Sequence, residues 1–382
     1  MIRLFYKVLL LCTPFIATAQ SDLRNAEKHF NEGNYLKAVV SAEQCHSKDS
    51  LEISCVEILA NAFNKLGDQA NAKKYFHKLE KLDSTNLNSY IQLAAIYEQQ
   101  QRLPRAIKYY SKLNNMLPEN PIYFRKNAKL FESVNDNQEA FRLYAQAFKL
   151  NPRDILTIKG LAELLIGNNQ MMVADSLISS GLEMDSENIS LYYLLARSKY
   201  KQKQYDSVTF ILEGLRGKID LNSYYNKLLG YSYLQIDSVE LAIQKLQLAL
   251  VDEPESEKLH YYMATAYEKQ ENAEGALDHY QKAAQYGRSP DLDLYHRNTA
   301  RIAHQENKYK MAIAHYRDAF KYSEDPVILY YLASISDSYY KDKSIAINYY
   351  RRYIKSGHSN NEYQEYANRR SRYLKEIQHQ SN

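Results

Sequence analysis

The sequence predicts an all-α chain built as a solenoid of about ten helical hairpins closed by a C-terminal helix. Three observations predict it. Small residues recur every 34 positions in two series twelve residues apart, large apolar or aromatic residues stand four positions after the second series, and prolines punctuate the helices. A solenoid needs no single large core, because each repeat packs only on its neighbours and core grows with length.

The hairpin is clearest in LAAIYEQQQRLPRAIKYYSKLNNMLPENP, residues 93–121. Strong helix formers flank Pro104, which would break a helix interior but costs almost nothing in a first turn. The stretch therefore reads as two helices, one ending near Gln100 and one opened by Pro104, with Pro118 and Pro121 closing the second. Such a hairpin cannot bury its own apolar face and must recur. The first small series runs Ala26, Ala60, Ala94, Ala128, Ala162, Ala196, Gly230 and Ala264. The second runs Ala38, Ala72, Ala106, Ala140, Ala174, Val208, Ala242 and Ala276, and after a two-residue insertion Ala300 and Ala312 resume the pattern, followed more loosely by Ala333 and Ala346. Where two helices cross closely, a side chain larger than alanine holds the axes apart. Large residues fill the space around the crossing, at Phe76, Tyr110, Tyr144, Ile178, Leu212, Leu246, Tyr280, Tyr316 and Tyr350. Repeats are expected to start near residues 20, 53, 87, 121, 155, 189, 223, 257, 293 and 327, with the array spanning 20–356 and a capping helix and tail spanning 357–382. The stretch 165–220 is the least regular, with Gly181, Lys199 and Val208 at packing places, and a softer joint is expected there.

This pattern resembles the tetratricopeptide repeat (TPR) family over nearly all of the chain after residue 20. The resemblance implies a right-handed α-α superhelix whose first helices line a concave groove that binds protein or peptide segments. Binding places in such repeats map onto Tyr193, Arg197, Tyr200 and Lys201, then Tyr224, Lys227 and Tyr231, then Tyr261 and Lys269, and finally Arg297, Arg301 and His304. Earlier repeats give a weaker set, Arg125 and Lys129 among Glu57, Asn61, Glu98 and Glu132. The family's lysine and asparagine clamp for the carboxyl tail of cytosolic chaperones does not map: Lys227 stands at its place, but Tyr231 and Tyr262 occupy the positions that follow. Tyrosine brings contact area at low entropy cost and arginine pairs bidentately with carboxylates, so the interleaved strip suits an acidic segment with apolar or aromatic anchors. The competing view is a solvated face in a chain with 36 tyrosines and no tryptophan.

Residues 1–19 differ in kind. Arg3 and Lys7 precede an apolar stretch from Val8 to Ala17, and Ala17-Thr18-Ala19 is a small-residue cleavage motif, so the segment reads as a secretory signal peptide with a mature chain starting near Gln20. It is short for a membrane span, which needs about 20 apolar residues. Leu10 and Leu11 before Cys12 lack the small residues of a lipoprotein cleavage site. Export is expected, most readily to the periplasm of a diderm bacterium, with secretion or surface association as alternatives, and no stable membrane insertion after cleavage. Losing Arg3 and Lys7 takes Lys plus Arg from 49 to 47 against 45 acidic residues, so the net charge falls from +4 to +2. A nearly neutral chain is no general polyanion binder, and nucleic acid is not an expected partner. The basic runs YRRYIK and NRRSRYLK near the C-terminus read first as the solvated face of a capping helix. Of three cysteines, Cys45 and Cys55 survive cleavage. In an oxidising compartment they are a disulfide candidate, the alternative being two buried thiols acting as small hydrophobes.

No constellation for catalysis emerges. The ten histidines contain no HExxH, and His296 and His304, eight apart, lack a third ligand. Phosphate-cradling glycine loops and the GxSxG elbow are missing from the sequence. The acidic runs EPESEK and EKQENAEG sit at helix ends and loops, where carboxylates favour the helix dipole or solvate a turn. No enzyme activity, cofactor or metal is expected. The expected function is a protein-binding scaffold of the cell envelope, with an exported glycan-binding or uptake-accessory protein, or a regulatory subunit of an envelope complex, as alternatives.

Overall fold

The computed structural model describes residues 20–215, 221–358 and 361–380. The expected signal peptide, residues 1–19, lies outside the described residues. In chain order the first helices and their hairpin partners are α1 (20–31) with α2 (Tyr35–Lys48), α3 (Ile53–Lys65) with α4 (Gln69–Leu82), α5 (Leu87–Gln99) with α6 (Leu103–Met116), α7 (Pro121–Ser133) with α8 (Asn137–Leu150), and α9 (Ile155–Gly167) with α10 (Met171–Met184). Then come α11 (Ile189–Lys201) and α12 (Tyr205–Glu213), α13 (Ser223–Gln235) with α14 (Val239–Asp252), α15 (Glu257–Lys269) with α16 (Ala273–Tyr286), α17 (Leu292–Gln305) with α18 (Tyr309–Ser323), α19 (Pro326–Tyr339) with α20 (Ser344–Lys355), and finally α21 (Asn361–Gln380). The described residues contain no strand. The fold is the all-α TPR arrangement of helical hairpins.

Pro104 sits in the first turn of α6. Pro121 does not close that helix; it is the first residue of α7, where its fixed φ suits the helix and its missing N–H would have had no partner. Asp68, Asn86, Asn120, Asp136 and Asp154 cap α4, α5, α7, α8 and α9 by accepting hydrogen bonds from first-turn amides.

The turn inside each hairpin from α1/α2 to α17/α18 carries a feature the small-residue pattern does not announce. Gly33, Gly67, Gln101, Asn135, Asn169, Lys203, Asp237, Glu271 and Asn307 all have positive φ. They stand 34 residues apart until the last step of 36. The next amide then reaches back to close the helix end, as Arg102 N–H does to the Tyr97 carbonyl and Asn272 N–H to the Tyr267 carbonyl, both at 2.9 Å. This is the Schellman ending, which satisfies carbonyls the helix would leave open.

Two compact units divide the chain, residues 1–194 and 195–382. Their division falls inside α11, in the stretch of weakest repeat register. In the first unit Ala60, Ala72, Ala94 and Ala106 are fully buried among Phe76, Tyr97, Tyr110 and Leu113. In the second, Ala264, Ala276, Ala300 and Ala312 are fully buried, with Tyr280 and Tyr316 packed over them. Val208 replaces alanine in its series and is buried as completely. The second unit ends on α21, which lays Ala367 and Leu374 against Tyr350 and Tyr353 of α20. Arg370 of α21 meets the buried Asp337 carboxylate at 2.7 Å.

Candidate partner-binding face

Within the second unit the first helices bring tyrosines into a continuous row. Tyr200 on α11 stands edge-on to Tyr231 on α13, centroids 5.7 Å apart, and Tyr231 lies 4.6 Å from Tyr262 on α15. The row continues from Tyr262 to Tyr261 at 6.1 Å and from Tyr261 to Tyr295 on α17 at 5.5 Å. Tyr205, at the start of α12, adds an edge contact to Tyr231 at 5.8 Å. Tyr200, Tyr231 and Tyr262 are spaced 31 residues apart, three short of the repeat, so they step back about one helical turn per hairpin and cross the first helices obliquely. Tyr200, Tyr231, Tyr261 and Tyr262 are half-buried, whereas Tyr295 is buried beneath the end of the row. Burial, then Tyr262 and Tyr231, push the Tyr200 phenol above its ordinary range. Burial, then Tyr231, push Tyr262 up to about 12. These phenols are neutral at physiological pH and offer ring faces together with hydroxyl donors and acceptors.

The bases expected to meet an acidic partner have carboxylates of their own. Arg301 lies 2.8 Å from Glu268. Arg297 lies 2.7 Å from Asp293 and 3.3 Å from Asp325. Lys227 is 3.2 Å from Glu253, and Lys269 is ion-paired with Asp237 while donating to the Leu234 carbonyl at 3.3 Å. The Ser223 hydroxyl and, against the effect of burial, Lys227 hold the Glu253 carboxyl below its usual range. Arg301 with Glu268 and Lys269 with Asp237 join neighbouring repeats, Arg297 with Asp293 lies one turn along α17, and Lys227 with Glu253 and Arg297 with Asp325 tie a first helix to the end of its own repeat. At Lys227, Lys269, Arg297 and Arg301 the charge expected to meet a partner is therefore also met by a carboxylate within the fold.

The remaining expected residues stand apart from the row. Tyr193 belongs to the first unit, where burial raises its phenol. Tyr224 is exposed beside Tyr225, with ring centroids 5.0 Å apart. Arg197 is half-buried, Lys201 is exposed, and His304 lies against Tyr309 at 5.9 Å. In the earlier set, Arg125 pairs with Asp154 at 3.0 Å, and Glu98 and Glu132 accept the hydroxyls of Tyr110 and Tyr144. Sequence reasoning gave no binding place to Tyr205, Tyr262 or Tyr295 and missed the carboxylates that answer Lys227, Lys269, Arg297 and Arg301. The 31-residue spacing of tyrosines and the i, i+4 pair Asp293 and Arg297 were the available signals.

Elsewhere, Cys45 at the end of α2 and Cys55 at the start of α3 are disulfide-bonded, with Cα atoms 6.2 Å apart. His296 pairs with His315 on α18 rather than with His304. Among the described residues no group of three or more His, Cys, Asp or Glu side chains is arranged to hold a metal ion, and no helix is long and apolar enough to cross a membrane.

No protein-family model matches the chain. A TPR repeat-containing protein of Methanocaldococcus jannaschii is 22% identical over 283 residues, covering 68% of this chain and 48% of the relative. The chain thus spans about half the length of the curated relative it matches. Among solved structures, YrrB, described as a TPR protein with an unusual peptide-binding site, is 20% identical with a TM-score of 0.43, covering 49% of this chain and 95% of its own. A tetratricopeptide repeat protein from Parabacteroides merdae is 14% identical with a TM-score of 0.40, covering 74% of this chain and 99% of its own. With hairpins in a 34-residue register, a small residue of each helix at most crossings and a relative named for the same repeat, this chain is similar to tetratricopeptide repeat proteins.

Proposed function

We propose that the chain is a non-catalytic protein-interaction scaffold that takes a partner segment along the tyrosine row of α11, α13 and α15. The observation that carries this is the unbroken series Tyr200, Tyr231, Tyr262 and Tyr261, backed by the buried Tyr295. Half-buried rings held by their neighbours present area without losing rotamer freedom on binding, which is how aromatic residues come to dominate interfaces. Because four of the bases are matched internally, the partner is held mainly by apolar or aromatic anchors and by hydrogen bonds to phenols. Arg197 adds local attraction for an acidic residue at one end. The site of action is the cell envelope, most readily the periplasm, a view supported by the leader-like residues 1–19 and by the disulfide, which suits an oxidising compartment.

The test is affinity capture from an envelope extract, followed by binding of the identified partner to Tyr231→Ala. We expect binding weakened by about tenfold or more with helical content unchanged, the size of one aromatic anchor. Equal binding, or selective capture of a glycan on an array with no protein partner, overturns the proposal. N-terminal sequencing of the exported protein that finds Met1 retained overturns the envelope assignment.

A further inference from the structure

Two hairpins of the second unit carry a histidine pair at a place where hairpins of the first unit pack apolar or aromatic groups. His260 on α15 is almost fully buried, and its Nδ1 lies 2.9 Å from Nδ1 of His279 on α16. Thirty-six residues later, His296 on α17 and His315 on α18 repeat the contact at 2.9 Å. Each pair has its own ring cover, Tyr286 over His260 at 5.5 Å and Tyr322 over His296 at 5.7 Å. The corresponding residues of earlier hairpins are Tyr90 with Tyr109, Phe124 with Leu143, Ile158 with Leu177, Tyr192 with Ile211 and, in α13 and α14, the polar Asn226 with Lys245.

Hydrogen-bond direction follows from one anchor. Nε2 of His260 lies 2.9 Å from the Pro254 carbonyl, which only accepts, so this nitrogen carries the hydrogen. In neutral His260 the Nδ1 is then bare, and Nδ1–H of His279 must be the donor. One added proton has a tolerable place, Nε2 of His279, and leaves that bond intact. A second has only Nδ1 of His260, and it sets two donors against each other inside the hairpin. The charged groups facing the first pair are Asp278 and Lys282, bonded to one another at 2.6 Å. Those facing the second are Asp318 and Lys321, likewise bonded at 2.6 Å. Tyr267 stacks on His279. Neither pair therefore has an unmatched carboxylate to stabilise its protonated form.

We propose that these two histidine pairs form an acid-sensitive joint, closed while the imidazoles are neutral and opened when they are doubly protonated, which loosens hairpins α15/α16 and α17/α18 before the rest of the chain. Burial holds all four imidazoles below their ordinary range, His279 at about 4. The unfolded chain takes up these protons near pH 6.5 and the folded chain does not. The stability the pairs contribute is therefore complete above about pH 6.5 and is lost as pH falls from there toward about 4.

The experiment is hydrogen exchange of the full chain at pH 7.5 and pH 5.0, read as protection factors. Wild type should lose about tenfold or more protection in α15–α18, while α5–α8, which contain no histidine, hold steady. A variant with His260→Phe, His279→Leu, His296→Phe and His315→Leu, patterned on the Phe124 and Leu143 pair, should lose less than about threefold. Unchanged wild-type protection, or an equal loss in the variant, overturns the proposal. If the variant does not fold, proton NMR titration of the four imidazoles in wild type decides: ordinary titration near pH 6.5 by all four overturns it, and depressed midpoints with line broadening in α15–α18 support it.

Discussion

Arg301 on α17 reaches back one repeat to the Glu268 carboxylate on α15 at 2.8 Å, and the same carboxylate accepts the Tyr280 hydroxyl at 2.9 Å. Glu80 plays the same double part for Lys112 and Tyr109, both from the next repeat. These bases act as ties between hairpins. With side chains 40% and 35% exposed, the Arg301 tie is partly screened. Arg301→Ala should cost about 0.5–1 kcal/mol in low salt and approach zero at 1 M salt. Urea denaturation at the two salt concentrations checks this. Glu268→Gln should cost less than removing Glu268 altogether, since the amide still accepts the Tyr280 hydroxyl.

Helix crossings should be intolerant of added volume. Ala264 is fully buried at a crossing, so Ala264→Leu should lower stability by about 1–3 kcal/mol, and partner binding should fall only as far as folding does. Gly160 gives a finer probe: a Cβ there collides with the Tyr144 ring, whose hydroxyl bonds Glu132 at 3.2 Å. Gly160→Ala should destabilise the first unit and detach that hydroxyl. Thermal melts report the first effect and tyrosine NMR the second.

The hairpin turns make the opposite forecast. Lys203 and Glu271 occupy left-handed backbone at φ 59° and 60°, which glycine adopts without steric cost. Lys203→Gly and Glu271→Gly should each stabilise by about 0.5–1 kcal/mol, against the usual direction of a glycine substitution. Asn307→Gly should do little, because asparagine already tolerates this region. Denaturant midpoints of the three variants give the ranking.

Reduction should act at one end of the chain. The Cys45 to Cys55 bridge closes a loop with a sequence separation of 10. By the chain-entropy estimate it contributes about 2–3 kcal/mol. Cys45→Ser with Cys55→Ser should expose α1 and α2 to hydrogen exchange while leaving α15–α18 as they are. Loss of protection throughout the chain would contradict the local role.

The packing skeleton was legible because every position in it answers one constraint, closeness of helix axes, and only small residues meet it. Each alanine of both series from Ala26 to Ala346 is fully buried. The face was legible only in part. Tyr200, Tyr231 and Tyr261 fall at family binding places, but Tyr262 shares its row through an oblique 31-residue step that a 34-residue alignment hides. The bases misled for a related reason. A carboxylate that neutralises Arg301 lies 33 residues upstream, visible only once adjacent hairpins are stacked. The left-handed turns escaped notice because their residues, from glycine to lysine, share a backbone shape and no side-chain chemistry.

Those turns also divide the molecule into a part of fixed length and a part that can vary. From α3 onward each described hairpin but the last, α19/α20, spans its turn with three residues, whereas the connection from α16 to α17, where the two-residue insertion falls, has five in place of the four between α14 and α15. A left-handed residue followed by a backbone amide locked onto the preceding helix's carbonyl admits no extra residue without breaking that lock, but among the described residues the connections between repeats carry no such closure, Glu324 between α18 and α19 being left-handed without it. Growth, shrinkage and grafting of this chain therefore belong at the connections between repeats, where a spliced segment keeps every hairpin whole.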